Sequence, residues 1–319
     1  MSSDSTTHPR IAIIGGGMGA LLILHRRGVP ATLYEHGAGF NACSHLGDEF
    51  DNKSHPEGDE MRLCDGAGKL HLKLGSKGGG GCPLWGPEDV SPEIDHTDVR
   101  KLLLDTISPS LIQWDHTISS VRAVGNDQHE LAFANDFTTT SDFLVGADGA
   151  NSRVRPLVSP ATPVYVGGND AEISLAPETT KLPELTETIE NVGECTMMAM
   201  QTSRLFCAQV NSDDRIRTYV SLGPPSDPAE AKAVLKAYFA GWPQWLLNLN
   251  PIDYCDENTI YPHALWTLPV GAGANLALLD GLELGLVLAG LQEKGTLGDV
   301  SAVAAAAAAR AGREYICFA

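Results

Sequence analysis

The chain has 319 residues with a formal net charge of −18, and 43% of them are hydrophobic, the composition of a globular protein able to bury a substantial core. That acidity excludes partners that need a basic face, so neither nucleic acid nor an anionic membrane surface is expected. No apolar run approaches the ~20 residues that cross a bilayer, and the polar stretch Met1 to Arg10 lacks the apolar core of a secretory signal, so a cytoplasmic location is expected.

Seven cysteines (Cys43, Cys64, Cys82, Cys195, Cys207, Cys255, Cys317) are odd in number and scattered, without metal-ligand or C-x-x-C spacing. Reduced thiols are expected, and the ten dispersed histidines point to no metal site.

In chain order, Ile11 to Ile14 reads as a short buried strand. It runs into Gly15-Gly16-Gly17-Met18-Gly19-Ala20, a G-x-G-x-x-A turn. Gly15 permits the tight turn, Gly17 lets the backbone approach a pyrophosphate, and Ala20 lets the next helix pack on the strand. That helix, Leu21 to Arg27, aims its amides and dipole at the phosphate and is closed by Gly28 and Pro30. A second strand, Ala31 to Tyr34, ends at Glu35, and 35 − 15 = 20 is the offset of the acid that accepts hydrogen bonds from an adenosine ribose. This fingerprint alone leaves FAD and NAD both open.

Lys77 followed by Gly78 to Gly81 is not a phosphate loop, because no Lys-Ser or Lys-Thr follows, and reads as a surface loop before a helix in Pro92 to Leu104. Glu57 to Glu60 and Pro183 to Glu190 read as acidic loops. Cys195 to Thr202, Leu205 to Asn211 and Ile216 to Leu222 read as strands, with a turn at Asn211 to Asp214. Asp227 to Asn248 reads as one N-capped helix, and Leu276 to Leu291 as a helix apolar nearly all round and therefore buried.

Between these lies Asp142 to Arg155, an apolar strand running into Gly146-Ala147-Asp148-Gly149 and on to Ser152-Arg153-Val154-Arg155. Here the sequence resembles the FAD-dependent monooxygenases related to the aromatic hydroxylases and tetracycline-inactivating enzymes, whose second fingerprint is G-A-D-G-x-x-S-x-V-R. Pro269 to Gly281 resembles that family's G-x-G-x-N-x-x-x-x-D segment, in which a helix N-terminus approaches the flavin ring. Pro92 to Leu104 is similar to its E-I-x-R-x-D-L-R helix, and Phe239 to Leu246 to its substrate-domain helix.

The resemblance implies an α/β fold: a Rossmann-like FAD-binding domain of the glutathione-reductase type (residues 1–50, 92–158 and 262–319) intergrown with a β-sheet substrate domain (51–91 and 159–261). It implies FAD contacts at Gly15, Gly17, Ala20, Glu35, Arg100, Asp148, Gly149, Gly271, Gly273 and Asn275. It further implies NAD(P)H as co-substrate and hydroxylation or epoxidation of a small aromatic or polyketide-like molecule through a flavin C4a-hydroperoxide. No residue is assigned as catalytic acid or base. Met197, Met198 and Met200 either line the substrate wall or pack in the core, with the core favoured.

Four features depart from the family pattern. The helix after the glycine turn is shorter by about one turn, ~3.6 residues. A G-G-x-L-D-L-H segment after Glu35 is missing, and His96 stands where the family has a flavin-contacting arginine. The aspartate of G-D-A-A-H, which holds the ribityl chain, has no counterpart before Gly271. These departures keep open a flavoprotein-like chain without redox activity. A dehydrogenase using the first fingerprint alone is the third reading, and no Tyr-x-x-x-Lys pair supports it.

Overall fold

A computed structural model of the chain describes residues 9–37, 53, 60–75, 94–125, 128–149, 151–158, 160, 162, 164–194, 196–202, 204–211, 214–222, 235, 237–249, 254, 261–266, 273–297 and 299. The elements begin with β1 (Ile11–Gly15), α1 (Met18–Arg26), β2 (Ala31–Tyr34), β3 (Met61–Asp65), β4 (Leu70–Leu74) and α2 (His96–Asp105). Next come β5 (Ile112–Gln113), β6 (Ile118–Gly125), β7 (Gln128–Phe133), β8 (Thr138–Ser141), β9 (Phe143–Ala147) and the short α3 (Arg155–Val158). β10 (Tyr165–Leu175), α4 (Thr186–Val192), β11 (Thr196–Gln201), β12 (Arg204–Val210) and β13 (Ile216–Leu222) follow. The last are α5 (Gln244–Leu247), β14 (Tyr261–Trp266) and α6 (Gly273–Glu293). Among the described residues no helix is long and apolar enough to cross a membrane.

The chain divides into two units, Met1–Leu46 with Arg100–Pro163 and Pro269–Ala319, and Gly47–Val99 with Val164–Leu268. β14 lies in the second, where it pairs antiparallel with β10.

In the first unit, β5-β2-β1-β9 form a parallel sheet. All five residues of β1 are buried because both faces are covered. On one face Ile11, Ile13, Leu33 and Val145 join Leu21 and Leu24 of α1 and Leu288 and Leu291 of α6 in a single core. On the other, Ala12, Ile14 and Tyr34 meet Leu131 and Phe133 of the antiparallel sheet β6-β7-β8. Helices, parallel sheet and antiparallel sheet thus make three layers. The helix α1 starts at Met18, earlier than the expected Leu21, and Gly28 (φ +68°) closes it, with Val29 N–H donating to the Leu24 carbonyl.

The starts of β1 and β9 are clamped together. Arg10 donates through Nε and Nη2 to the two oxygens of Asp142 (3.0 Å each) and through its backbone N–H (2.8 Å). Gln128 adds a third donor group. The hydrogen bonds from Arg10 hold the Asp142 carboxyl far below the usual carboxylate range, against the opposing effect of burial. A depressed folded pKa gives stability that is present above the unfolded value of about 4 and lost as pH falls through the folded one. Because Arg10 is half exposed, solvent screening limits the effect. Asp142→Ala should cost about 1 kcal/mol at pH 7, with the gap to wild type narrower in urea melts at pH 3.

In the second unit the sheet order is β14-β10-β13-β12-β11-β3-β4, antiparallel except for β3 beside β11. Its two faces separate by alternation. Ala171, Ile173, Val220, Phe206, Ala208, Met197 and Ala199 point into a core with Leu235, Phe239, Trp242, Trp245 and Leu246. Met197 is therefore core, whereas Met198 is half-buried and Met200 exposed on the opposite face.

Two sequence expectations need correction here. Pro183 to Glu190 is not a loop: Pro183–Leu185 is a 3-10 turn and α4 follows, because Leu185, Thr188 and Val192 recur at helical spacing and are buried while the acids face water. Arg62 caps the carbonyls of Glu190 and Asn191 at its end, held by the buried carboxylate of Glu60 at 2.5 Å. Nor is Asp227 to Asn248 one helix. Leu235, Ala237 and Tyr238 are helical, but Gly241 (φ +89°) and Pro243 break the chain before α5.

Thr218, fully buried on the core face, has a hydroxyl without a hydrogen-bond partner. Thr218→Val should raise stability by about 1 kcal/mol in urea unfolding, since the valine keeps the shape and removes the desolvated hydroxyl.

Candidate cofactor site

The glycine turn is shaped first by its own strands. Gly15 has φ +85°, and a Cβ there would sit 2.4 Å from the Ala147 carbonyl oxygen at the end of β9. A Cβ on Gly17 would sit 2.7 Å from Ile13 Cγ2 and 2.9 Å from Ala147 Cβ. Both glycines are thus demanded by close packing of β1, β9 and the start of α1. Between them Gly16 is exposed, with open space where its Cβ would point. Gly17 and Met18 N–H donate to the Gly15 and Gly16 carbonyls within the turn, but no side chain caps α1 and no acid lies in its first turn, so its positive dipole end is left for an anion.

Ala20 is buried where α1 crosses α6: a Cβ on Gly281 would lie 3.0 Å from Ala20 N, and one on Gly285 would lie 2.7 Å from Ile23 Cβ. Sequence reading assigned Ala20 to packing on the strand and did not single out the Gly281-x-x-x-Gly285 pair. Its signal is small residues one helical turn apart.

Glu35, 3% exposed, stands at the end of β2. Its Oε1 is 2.9 Å from His36 Nδ1 and 3.3 Å from Arg100 Nη2, and it accepts from Gly37 N–H. Two expected cofactor residues, Glu35 and Arg100, are therefore brought together, and the guanidinium offsets a charge that burial would otherwise penalise. The backbone of Glu35 is fixed as well, donating to Gln113 and accepting from His116.

Asp148 spends its carboxylate on its own turn. Oδ1 accepts from Ser152 Oγ and Oδ2 from Arg153 N–H, both at 2.6 Å. Gly149 follows at φ +76°, and its carbonyl accepts from Arg155 Nη2. The D-G-x-x-S pattern is thus a side-chain-closed turn that fixes the backbone at Gly149.

Gly273 opens α6 and Asn275 is its third residue, whereas Gly271 lies outside the described residues. Cys43 to Phe50 and Gly78 to Gly81 also lie outside them. His96 is the first residue of α2 and is exposed. Asp280, which ends the third motif but was not among the expected contacts, has a buried Oδ2 with no hydrogen-bond partner, and burial pushes its carboxyl up.

The open, uncapped start of α1, the left-handed Gly15 and the buried Glu35 on adjacent parallel strands fit the pyrophosphate and adenosine ribose of a dinucleotide.

No protein-family model matches the sequence. Among curated proteins, the monooxygenase penA of Penicillium thymicola is 29% identical over 155 residues, 45% of this chain and 34% of that protein, so the match spans about a third of the relative. Among solved structures, Klebsiella pneumoniae HpxO complexed with FAD and uric acid superposes with a TM-score of 0.70 at 18% identity, covering 94% of this chain and 82% of that one. CtdE in complex with FAD and its substrate 4 gives 0.73 at 14% identity, covering 96% and 86%. The chain has the fold of the FAD-containing monooxygenases.

Proposed function

We propose that the chain is an FAD-dependent monooxygenase that hydroxylates or epoxidises a small organic molecule with NAD(P)H as reductant. In the hydroxylation the substrate C–H, O2, NAD(P)H and a proton yield C–OH, water and NAD(P)+. The observation that carries this reading is the open glycine turn at the start of α1, set beside the buried Glu35 in a fold shared with FAD-bound proteins.

Each part of the first unit has a task in that reading. The Gly15 to Gly17 turn and the α1 amides hold the pyrophosphate. Glu35 accepts from the adenosine ribose, with Arg100 fixing the carboxylate. The Asp148–Gly149 turn borders the same cofactor, and Gly273 and Asn275 present the α6 N-terminus to the flavin ring. FAD, when bound, supplies the redox and oxygen chemistry. The protein's share is to bind, orient and exclude water. The uric acid and substrate 4 held by HpxO and CtdE support a small organic substrate for this chain too.

The test is absorbance of the purified protein followed by titration with FAD and NAD(P)H. Uptake near one FAD per chain and NAD(P)H oxidation in the presence of aromatic candidates are expected. A dissociation constant above about 100 μM for FAD would sink the monooxygenase reading and leave the flavoprotein-like chain without redox activity.

A further inference from the structure

The sheet face opposite the core of the second unit is polar in one half and apolar in the other. Register sets Glu172 opposite Tyr219, Ser174 opposite Arg217, and Arg217 opposite Gln209. Arg217 Nε lies 3.1 Å from Glu172 Oε1, close enough for an ion pair yet not aligned as a hydrogen bond. Asn211, just beyond β12 and 8% exposed, donates its amide to Asp95, whose charge also acts on Arg217. Three polar atoms in this group are buried without a hydrogen-bond partner: Arg217 Nε, Ser174 Oγ and Asn211 Oδ1. Across β12 the face becomes apolar, with Met198 opposite Leu63 and Leu63 opposite Leu72, while Met200 and Leu72 are exposed.

Buried donors and acceptors are ordinarily satisfied, and a cluster of exceptions calls for a partner. The orphans are of both kinds, a guanidinium N–H and an amide oxygen, with a hydroxyl that can serve either way. Glu172 already lies beside Arg217 and Asp95 beside Asn211, and a ligand carboxylate would bring no donor for Asn211 Oδ1. A neutral amide edge offers an acceptor for Arg217 and a donor for Asn211, and thioether sulfur packs well on aromatic rings.

We propose that this face recognises the organic substrate, and that the substrate is an aromatic skeleton bearing a neutral amide or lactam edge rather than a carboxylate. The inference rests on the monooxygenase reading for the ligand's role as substrate, but the binding itself needs no flavin.

The experiment compares 2-naphthamide with its isosteric anion 2-naphthoate by calorimetry, on the full chain with and without FAD. The amide should bind at least about tenfold more tightly. Arg217→Lys, which keeps the charge but loses the guanidinium Nε, should weaken amide binding about fivefold or more, and Glu172→Gln should strengthen naphthoate. Circular dichroism and urea melts confirm that each variant is folded, and Ser174→Ala, expected to weaken the amide alone, serves if Arg217→Lys is not. Equal or tighter binding of naphthoate, binding of neither probe, or amide affinity indifferent to Arg217→Lys and Ser174→Ala would overturn the proposal. A chain that takes up no FAD but prefers the amide loses the monooxygenase reading alone. One that takes up FAD without that preference loses this inference alone.

Discussion

Gly15→Ala is expected to lower stability by about 3 kcal/mol and with it FAD uptake, whereas Gly16→Ala should leave unfolding within about 0.5 kcal/mol of wild type and weaken FAD alone. At Gly15 two penalties add. A side chain in the left-handed region costs about 1–2 kcal/mol, and the new methyl would stand 2.4 Å from the Ala147 carbonyl oxygen, so β1 and β9 must part at their C-terminal ends. Overpacking of this kind costs about 1–3 kcal/mol. A loss of that size is a large fraction of the 5–15 kcal/mol that typically holds a domain together. Gly16, one residue later, has nothing within 4 Å of its Cβ direction and no positive φ, so the protein itself tolerates a methyl there. A phosphate drawn to the α1 amides would not. Urea unfolding together with FAD titration separates the two effects. Unchanged FAD affinity in Gly16→Ala would move the pyrophosphate away from this turn, and an unchanged urea midpoint in Gly15→Ala would contradict the tight contact with β9.

What was legible in the sequence is what local chemistry dictates. β2 follows directly from Ala31 to Tyr34, and Glu35 ends it as expected, because an apolar run bounded by Pro30 and an acid leaves little choice. Asp148 was expected beside the cofactor; its side chain closes its own turn with Ser152 and Arg153, a relation the motif shows only as spacing. Non-local pairing was harder to read. The strands β6 to β8 escaped notice because Ser119, Ser120 and Thr138 to Thr140 give a polar, weakly alternating pattern, and their core side chains beneath the parallel sheet are few: Leu131 and Phe133 buried, with Ile118 and Val121 partly buried against them. The acids around α4 concealed a helix whose buried side is just Leu185, Thr188 and Val192 with Ile189 packed alongside. Conversely, helix-forming residues and apolar spacing favoured a continuous helix to Asn248, and the break came from Gly241 and Pro243, a local signal overruled in the reading by periodicity. Arg100 needed the fold: only when α2 and β2 are placed does its guanidinium meet Glu35.

The α1–α6 crossing supplies the second large effect, because it fixes the helix whose N-terminus forms the candidate phosphate site. Gly285→Ala puts a methyl 2.7 Å from Ile23 Cβ and 3.3 Å from the Ala20 carbonyl oxygen, and Cβ of Ile23 is tied to its own helix and cannot swing aside. The helices must separate, at about 1–3 kcal/mol, offset in part by the gain of about 1 kcal/mol in helix propensity. A net loss of about 1–2 kcal/mol is therefore expected in urea unfolding, and FAD binding should weaken as α1 shifts. The contact predicts its own rescue. Ile23→Gly removes both the Cβ and the γ carbons beside Gly285, so in that background Gly285→Ala should cost at least about 1 kcal/mol less than it does in wild type. Additive losses in the two variants would show that Gly285 does not touch Ile23. A favourable coupling would instead establish that the paired glycines of α6, rather than the G-x-G-x-x-A turn alone, set where the start of α1 lies.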